Sequence, residues 1–217
     1  VQVDLVAPAV TVSHALYPVE EARKTDLLFS LLKDTGSGSV LVFTRTKHRA
    51  KRLGEKLAKT GYRAASLQGN LSQNRRQAAL DGFRDGSHQI LVATDLAARG
   101  IDVSQVSHVI NYDMPNTTDA YIHRIGRTGR AARTGDAFTM LTAADRAMER
   151  ALEKALGRPI ERRNIEGFAI APEDSLASTQ RHRAKQPGGN SNPGRTKNNR
   201  RRRFTGRPAN PAAAASR

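Results

Sequence analysis

The sequence predicts an α/β fold, a parallel sheet flanked by helices and followed by a disordered basic tail. Three observations carry this. Between residues 12 and 156, short β-branched runs alternate with stretches of helical periodicity. VLVF at 40–43 and ILVA at 90–93 are continuously apolar, as strands buried on both faces should be. All 20 Asp and Glu residues lie at or before Asp174, whereas 11 of the 36 Lys and Arg lie from Arg181 onward. Residues 1–177 therefore carry 25 basic and 20 acidic side chains, net +5, and the last 40 residues carry +11.

In chain order, strands are expected at Val12 to Leu16, Val40 to Phe43, Ala64 to Leu67, Ile90 to Ala93, His108 to Asn111 and Ala137 to Leu141. Helices fall between them. Leu27, Leu28, Leu31 and Leu32 make one apolar stripe; Ala50, Leu53 and Leu57 make another, stopped by Gly61 at a C′ position. Ser72 caps a helix that buries Ala79, Leu80 and Phe83 and ends near Gly86. Thr142 caps a last helix carrying Ala144, Met148, Ala151, Leu152 and Ala155. No sequence repeat of fixed period accompanies this βα rhythm.

Residues up to about 168 suffice for a single core. The stretch beyond has one aromatic, Phe204, from 181 on, and too few large aliphatics to offset the entropy of ordering. No run of about 18 apolar residues predicts a membrane span. The absence of cysteine excludes disulfides and thiolate metal sites and fits a reducing compartment, so a cytoplasmic location is expected. The chain opens VQVDLV without Met, which suggests a fragment or a processed product.

Three polar segments, TRT at 44–46, TDLAARGID at 94–102 and NYDMPN at 111–116, each follow a predicted strand. Ligands of open parallel sheets bind outside the carboxyl ends of the strands, so these segments gather on the binding edge. Read singly, FTRT at 43–46 fits a strand end with Thr44 or Thr46 as helix cap and a solvated Arg45. Ser72-Gln73-Asn74-Arg75-Arg76 fits a cap with a polar face. Asp95 and Arg99 are four apart and could pair across one turn, which Gly100 ends. HRIGRTGR at 123–130 is harder to explain locally. Arg124, Arg127 and Arg130 repel one another, and Gly126 and Gly129 weaken any helix. Glycines allow close backbone approach and arginines suit bidentate phosphate contacts, so a triphosphate would reward the arrangement where a solvated charge run would not.

FTRT, QNRR, ATDLAARGID, NYDMP and HRIGRTGR, in this order and spacing, resemble the C-terminal RecA-like half of DEAD-box RNA helicases over roughly residues 10–165. VLVFTRTKH, the segment leading to IEGF and the basic tail look most like the bacterial RhlE-type subgroup. The resemblance implies three domains or segments: an interdomain linker remnant at 1–12, the RecA-like domain at 13–168 and the basic tail at 169–217. It also implies roles. Arg127 and Arg130 reach the phosphates of ATP, with Arg130 the principal finger, and His123 couples them to the other domain. Asp102 meets the ribose. Asp95 and Arg124 brace the site. Thr44, Arg45, Gln73, Arg76, Thr94, Arg99 and Gly100 contact the RNA backbone. Gln68 stands where many relatives carry histidine.

No GxxxxGK[ST] loop appears; GSGSV at 36–40 has the glycines without the lysine. No D-E-A-D segment appears either. A triphosphate would therefore have to be bound mainly by another domain, and the resemblance implies that ATP and Mg2+ are held mainly by an N-terminal RecA-like domain missing from this chain. This chain alone is expected to be inactive, with RNA and that domain as partners. Two alternatives stay open: a non-catalytic RNA-binding or annealing module, and a DNA helicase of the same superfamily. The tail is read as an RNA anchor, or else as a solubilising extension.

Overall fold

The computed structural model describes residues 12–99, 106–129, 135–166 and 168. The expected linker before Val12 and the basic tail from 169 onward lie outside the described residues. The expected strands form as β1 (Val12–Pro18), β2 (Val40–Phe43), β3 (Ala64–Leu67), β4 (Ile90–Ala93), β5 (His108–Asn111) and β6 (Gly135–Leu141). A short charged strand, β7 (Glu161–Arg162), adds to the edge at β1. The sheet runs β3-β4-β2-β5-β6-β1-β7, and each pairing is parallel.

Parallel neighbours need crossovers. They are made by α1 (Lys24–Asp34), α2 (Lys47–Lys59), α3 (Gln73–Arg84), the single turn α4 (Asp95–Ala98), α5 (Thr118–Ile125) and α6 (Arg146–Leu156). The pleat sorts the apolar runs onto two faces. Leu41, Phe43, Leu91 and Ala93 join Phe83 of α3, Ile122 of α5 and Leu152 of α6 in one core cluster. Val40, Val42, Ile90 and Val92 join Leu28 of α1 and Leu57 of α2 in the other. Strands covered on both faces cannot alternate in polarity, which is why VLVF and ILVA are apolar throughout.

Helix starts follow side-chain chemistry. The hydroxyls of Thr46, Ser72 and Thr117 accept from the amides of Arg49 (3.2 Å), Arg75 (3.4 Å) and Ala120 (3.1 Å). Gly61 closes α2 at a φ of 92°, a left-handed conformation that side chains with a Cβ resist.

Besides β7, two elements differ from the sequence reading. Residues 118–125 form α5 even though glycines follow at once, because Thr117 caps it and Tyr121, Ile122 and Ile125 bury one face. Thr142 opens a 3-10 turn, Ala143–Asp145, through a capping box with Asp145, and α6 starts only afterwards. The buried side of α6 is Glu149 and Leu152, with Met148 and Leu156 packed against the core, while Ala144, Ala151 and Ala155 are exposed. Small side chains gain little from burial, so the larger neighbours take the inward positions.

Candidate functional site

Because the described strands are parallel, the residues that follow β2, β3, β4 and β5 come to one sheet edge: Thr44, Gln68, Thr94 and Tyr112. The chain is pinned there strand to strand. Thr44 N donates to Ala93 O at 2.9 Å, and Asp113 N to Phe43 O at 3.3 Å.

Arg124 organises one side of this edge. Its side chain is 3% exposed and grips Asp95 with both arms, Nε to Oδ1 at 2.6 Å and Nη2 to Oδ2 at 2.7 Å. Its remaining arm, Nη1, donates to Asn111 Oδ1 at 3.1 Å and to the Asp113 carbonyl at 2.8 Å, and its guanidinium lies 5.0 Å from the centre of the Phe43 ring. One side chain from α5 thus ties the ends of β2, β4 and β5 together. Asp95 pairs here rather than with Arg99, whose ψ of 138° turns the chain out of the helix at that residue.

Beside this clamp a shallow open cleft is lined by Phe43, Asp95, Ala98, Arg99, Ala120, His123, Arg124 and Arg127. His123 is exposed, and Arg127 Nε donates to the His123 carbonyl at 3.3 Å. The loop carrying Arg127 is anchored by Thr128, 2% exposed, whose hydroxyl donates to Val106 O at 2.6 Å with Ser107 O at 3.1 Å. Gly129 turns the loop at a φ of 72°. A Cβ on Gly135 would come within 2.0 Å of Thr128 Oγ1 and 2.4 Å of Gly129 N, so this tight seat needs glycine on β6.

Asp113 organises the other side. Its carboxylate, 2% exposed, accepts from Arg45 N at 2.8 Å and pairs with Lys24 Nζ at 3.2 Å and with Arg49. Burial alone would raise its pKa, but the Arg45 amide and the two cations outweigh it and hold the carboxyl below its ordinary value. Lys24, 3% exposed, is the unusual partner: a buried lysine that also reaches Glu21 at 2.8 Å. The loop bearing Thr44 and Arg45 is therefore fixed from below.

The expected site residues distribute as follows. Asp95, Arg99, His123, Arg124 and Arg127 meet at the cleft. Arg76 is tied to α4, the turn that carries Asp95 and Ala98, through Nη2 to Ala97 O at 2.7 Å. Arg45, with 54% of its side chain exposed, and exposed Gln73 lie farther along the edge, and Thr94 is half-buried. Thr44 is buried, and its hydroxyl donates to Thr46 O at 3.4 Å, so this hydroxyl faces the protein. Gln68 is also turned in, its Oε1 accepting from Asn70 N at 2.7 Å. Gly100, Asp102 and Arg130 lie outside the described residues. Asp113, Lys24 and Thr128 hold the loops of the candidate site, a part that sequence reasoning missed; the one available signal was the place of NYDMP directly after a strand.

The described sheet is parallel throughout, has helices on both faces and carries an arginine-lined cleft beside its strand ends, and this fold matches the RecA-like C-terminal domains of DEAD-box proteins. The family model for the helicase conserved C-terminal domain matches residues 23–132. The chain belongs to that family, on its DEAD-box branch. It is 45% identical over 144 residues to the DEAD-box ATP-dependent RNA helicase CshA of Bacillus subtilis, an alignment covering 66% of this chain and 29% of that protein. Its fold superposes on a solved chain of the E. coli DEAD-box protein SrmB, bound to the regulator of ribonuclease activity A, with a TM-score of 0.68 and 36% identity, covering 74% of this chain and 96% of the solved chain. It also matches S. cerevisiae Dbp5 bound to RNA and ADP BeF3, with a TM-score of 0.66 and 32% identity, over 85% of this chain and 47% of the solved chain. The chain spans about a third of the length of the curated relatives it matches.

Proposed function

We propose that this chain is the C-terminal half of an ATP-dependent DEAD-box RNA helicase, most like the RhlE-type subgroup of bacterial proteins. In this reading it contributes arginines to ATP bound mainly by an upstream RecA-like domain and holds the RNA backbone along its strand edge. The observation that carries it is the cleft in which Arg99, His123 and Arg127 stand beside the Asp95–Arg124 clamp. Guanidiniums held in place at such an edge stabilise charge that grows on a transferring phosphoryl group. The sequence supplies no phosphate cradle of its own, so the nucleotide needs a second domain.

Arg127 and Arg130 are the fingers, with Arg130 the principal one; His123 links them to the facing domain and Asp102 meets the ribose. Arg45, Gln73, Arg76, Thr94, Arg99 and Gly100, with the backbone around Thr44, follow the RNA. Mg2+, like ATP, is held mainly by the upstream domain in this reading; among the described residues no cluster of carboxylate or imidazole groups fits a metal ion. ATP and RNA together close the two halves, which bends one strand of a short duplex and separates it locally; hydrolysis reopens the cleft. The basic tail keeps RNA close by, and the protein works in the cytoplasm.

Backbone contacts give affinity without reading sequence, and contacts near the ribose discriminate through the 2′-OH. In the intact protein, RNA is therefore expected to stimulate ATP turnover strongly and DNA of the same sequence hardly at all. Equal stimulation by both would move the chain to the DNA-translocating helicases, and stimulation by neither would leave an RNA-binding module.

A further inference from the structure

Helix α2, KHRAKRLGEKLAK, holds six Lys and Arg against one Glu. Its net +5 equals the whole net charge of residues 1–177, so the remainder of that stretch is balanced. The contrast with α6 is direct: there Arg146, Arg150 and Lys154 are offset by Glu149 and Glu153.

Not every cation of α2 faces outward. Arg49 turns in toward Asp113 and Glu21, and Lys56 lies 5.8 Å from the centre of the Phe29 ring. Lys47, Lys51, Arg52 and Lys59 are exposed, on the side away from the buried Ala50, Leu53, Gly54 and Leu57. The first turn of α2 has no acidic residue, and Lys47 and Arg49 sit at the positive end of the helix dipole, where cations are disfavoured. Among the described carboxylates, the outward cations meet only Glu55, in a long Lys51–Glu55 contact of 3.8 Å, and surface pairs of that kind contribute little. A polyanion outside the fold would reward this arrangement.

We propose that the outward face of α2 binds the phosphate backbone of an RNA segment flanking the strand-edge site. The proposal rests on the RNA-binding reading above and extends its footprint. Continuity favours RNA over an acidic protein. Exposed Arg45 leads straight into the helix, and Lys47 Nζ donates to Asn70 Oδ1 at 3.1 Å, joining α2 to the loop before α3. From Lys47 to Lys59 the helix covers roughly 18 Å. A strand carries one charge about every 3.4 Å of axis, so several phosphates can lie beside these cations. Long flexible cationic stems suit contacts that follow a backbone without reading bases.

The test uses the full chain and single-stranded RNAs of about 8 and about 20 nucleotides, lengths bracketing a typical single-strand site. Lys51→Gln/Arg52→Gln/Lys59→Gln is expected to weaken the longer RNA and flatten its log-log salt dependence by about 2, as for three lost phosphate contacts. The short RNA is expected to bind as before. Lys51→Glu/Arg52→Glu gives the same pattern with a larger loss of affinity for the longer RNA. As a control, Lys33→Gln/Arg150→Gln/Lys154→Gln removes equal charge from exposed positions on α1 and α6 and is expected to leave the slope unchanged.

An unchanged slope in the α2 variants, or equal flattening by the control set, overturns the proposal while leaving RNA binding itself in place. The α2 face would then belong to an acidic protein. Failure of the unaltered chain to bind either RNA overturns the RNA-binding reading together with this extension.

Discussion

Joined to its nucleotide-holding domain, the Arg130→Ala protein is expected to lose RNA-stimulated ATP turnover by about 10³-fold or more. Arginine fingers are worth 10³ to 10⁵ in rate, because a rigid planar cation meets charge that is greatest in the transition state. On the barrier this amounts to roughly 4 to 7 kcal/mol. RNA binding by this half is expected to stay near normal, since the role proposed for Arg130 is at the nucleotide and not at the RNA. Arg127→Ala should follow the same pattern with little change in stability, as Arg127 is only partly buried. Turnover within a few-fold of the unaltered protein, measured at saturating RNA and ATP, would remove the fingers from the account.

The second large effect concerns Arg124, and it separates stability from chemistry. Arg124→Lys keeps the charge but not the fork. One ammonium cannot hold both oxygens of Asp95 and also reach Asn111 Oδ1 and the Asp113 carbonyl, four contacts the guanidinium makes at 2.6–3.1 Å. Each buried acceptor left without a donor costs about 1–3 kcal/mol. Asp95 is 41% exposed and recovers water, so the total is set at about 2–4 kcal/mol. For a domain of this size that corresponds to a fall in Tm of roughly 5–15 °C, read by thermal denaturation of the chain. Turnover in the joined protein should drop as well, by about 10²-fold, because His123 and Arg127 share the helix end that Arg124 fixes. A Tm unchanged within error would mean that the clamp does not hold this edge together.

The strands were legible because both sheet faces are covered. Continuous apolar runs such as VLVF have no other economical placement, and their bounds match the structure for β2, β3, β4 and β5. Charged β7 carries no such signal, since its two residues are exposed and its pairing with β1 depends on tertiary context. Helix α5 was hidden by the glycines after it; the hydroxyl of Thr117 and the apolar face of Tyr121, Ile122 and Ile125 outweigh them.

At the site, motifs identified which residues matter but not how they are held. Asp95 has a plausible partner four residues on, yet its actual partner is 29 residues away. Lys24 and Asp113 lie 89 residues apart, and a lysine in a helical stripe gives no hint that it will be buried against a carboxylate. Thr128 reads as a spacer between arginines until its hydroxyl is seen on the Val106 carbonyl. Long-range polar contacts leave no periodic trace in sequence, whereas burial of apolar surface does.

The central claim is that this chain completes a nucleotide site begun on another domain. It is tested most directly by measuring RNA-stimulated ATP hydrolysis by the chain alone and again after joining it to its upstream half. The account predicts no hydrolysis alone and strong, RNA-dependent hydrolysis when joined. Hydrolysis by the chain alone would contradict it, since the phosphates would then be cradled within these 217 residues.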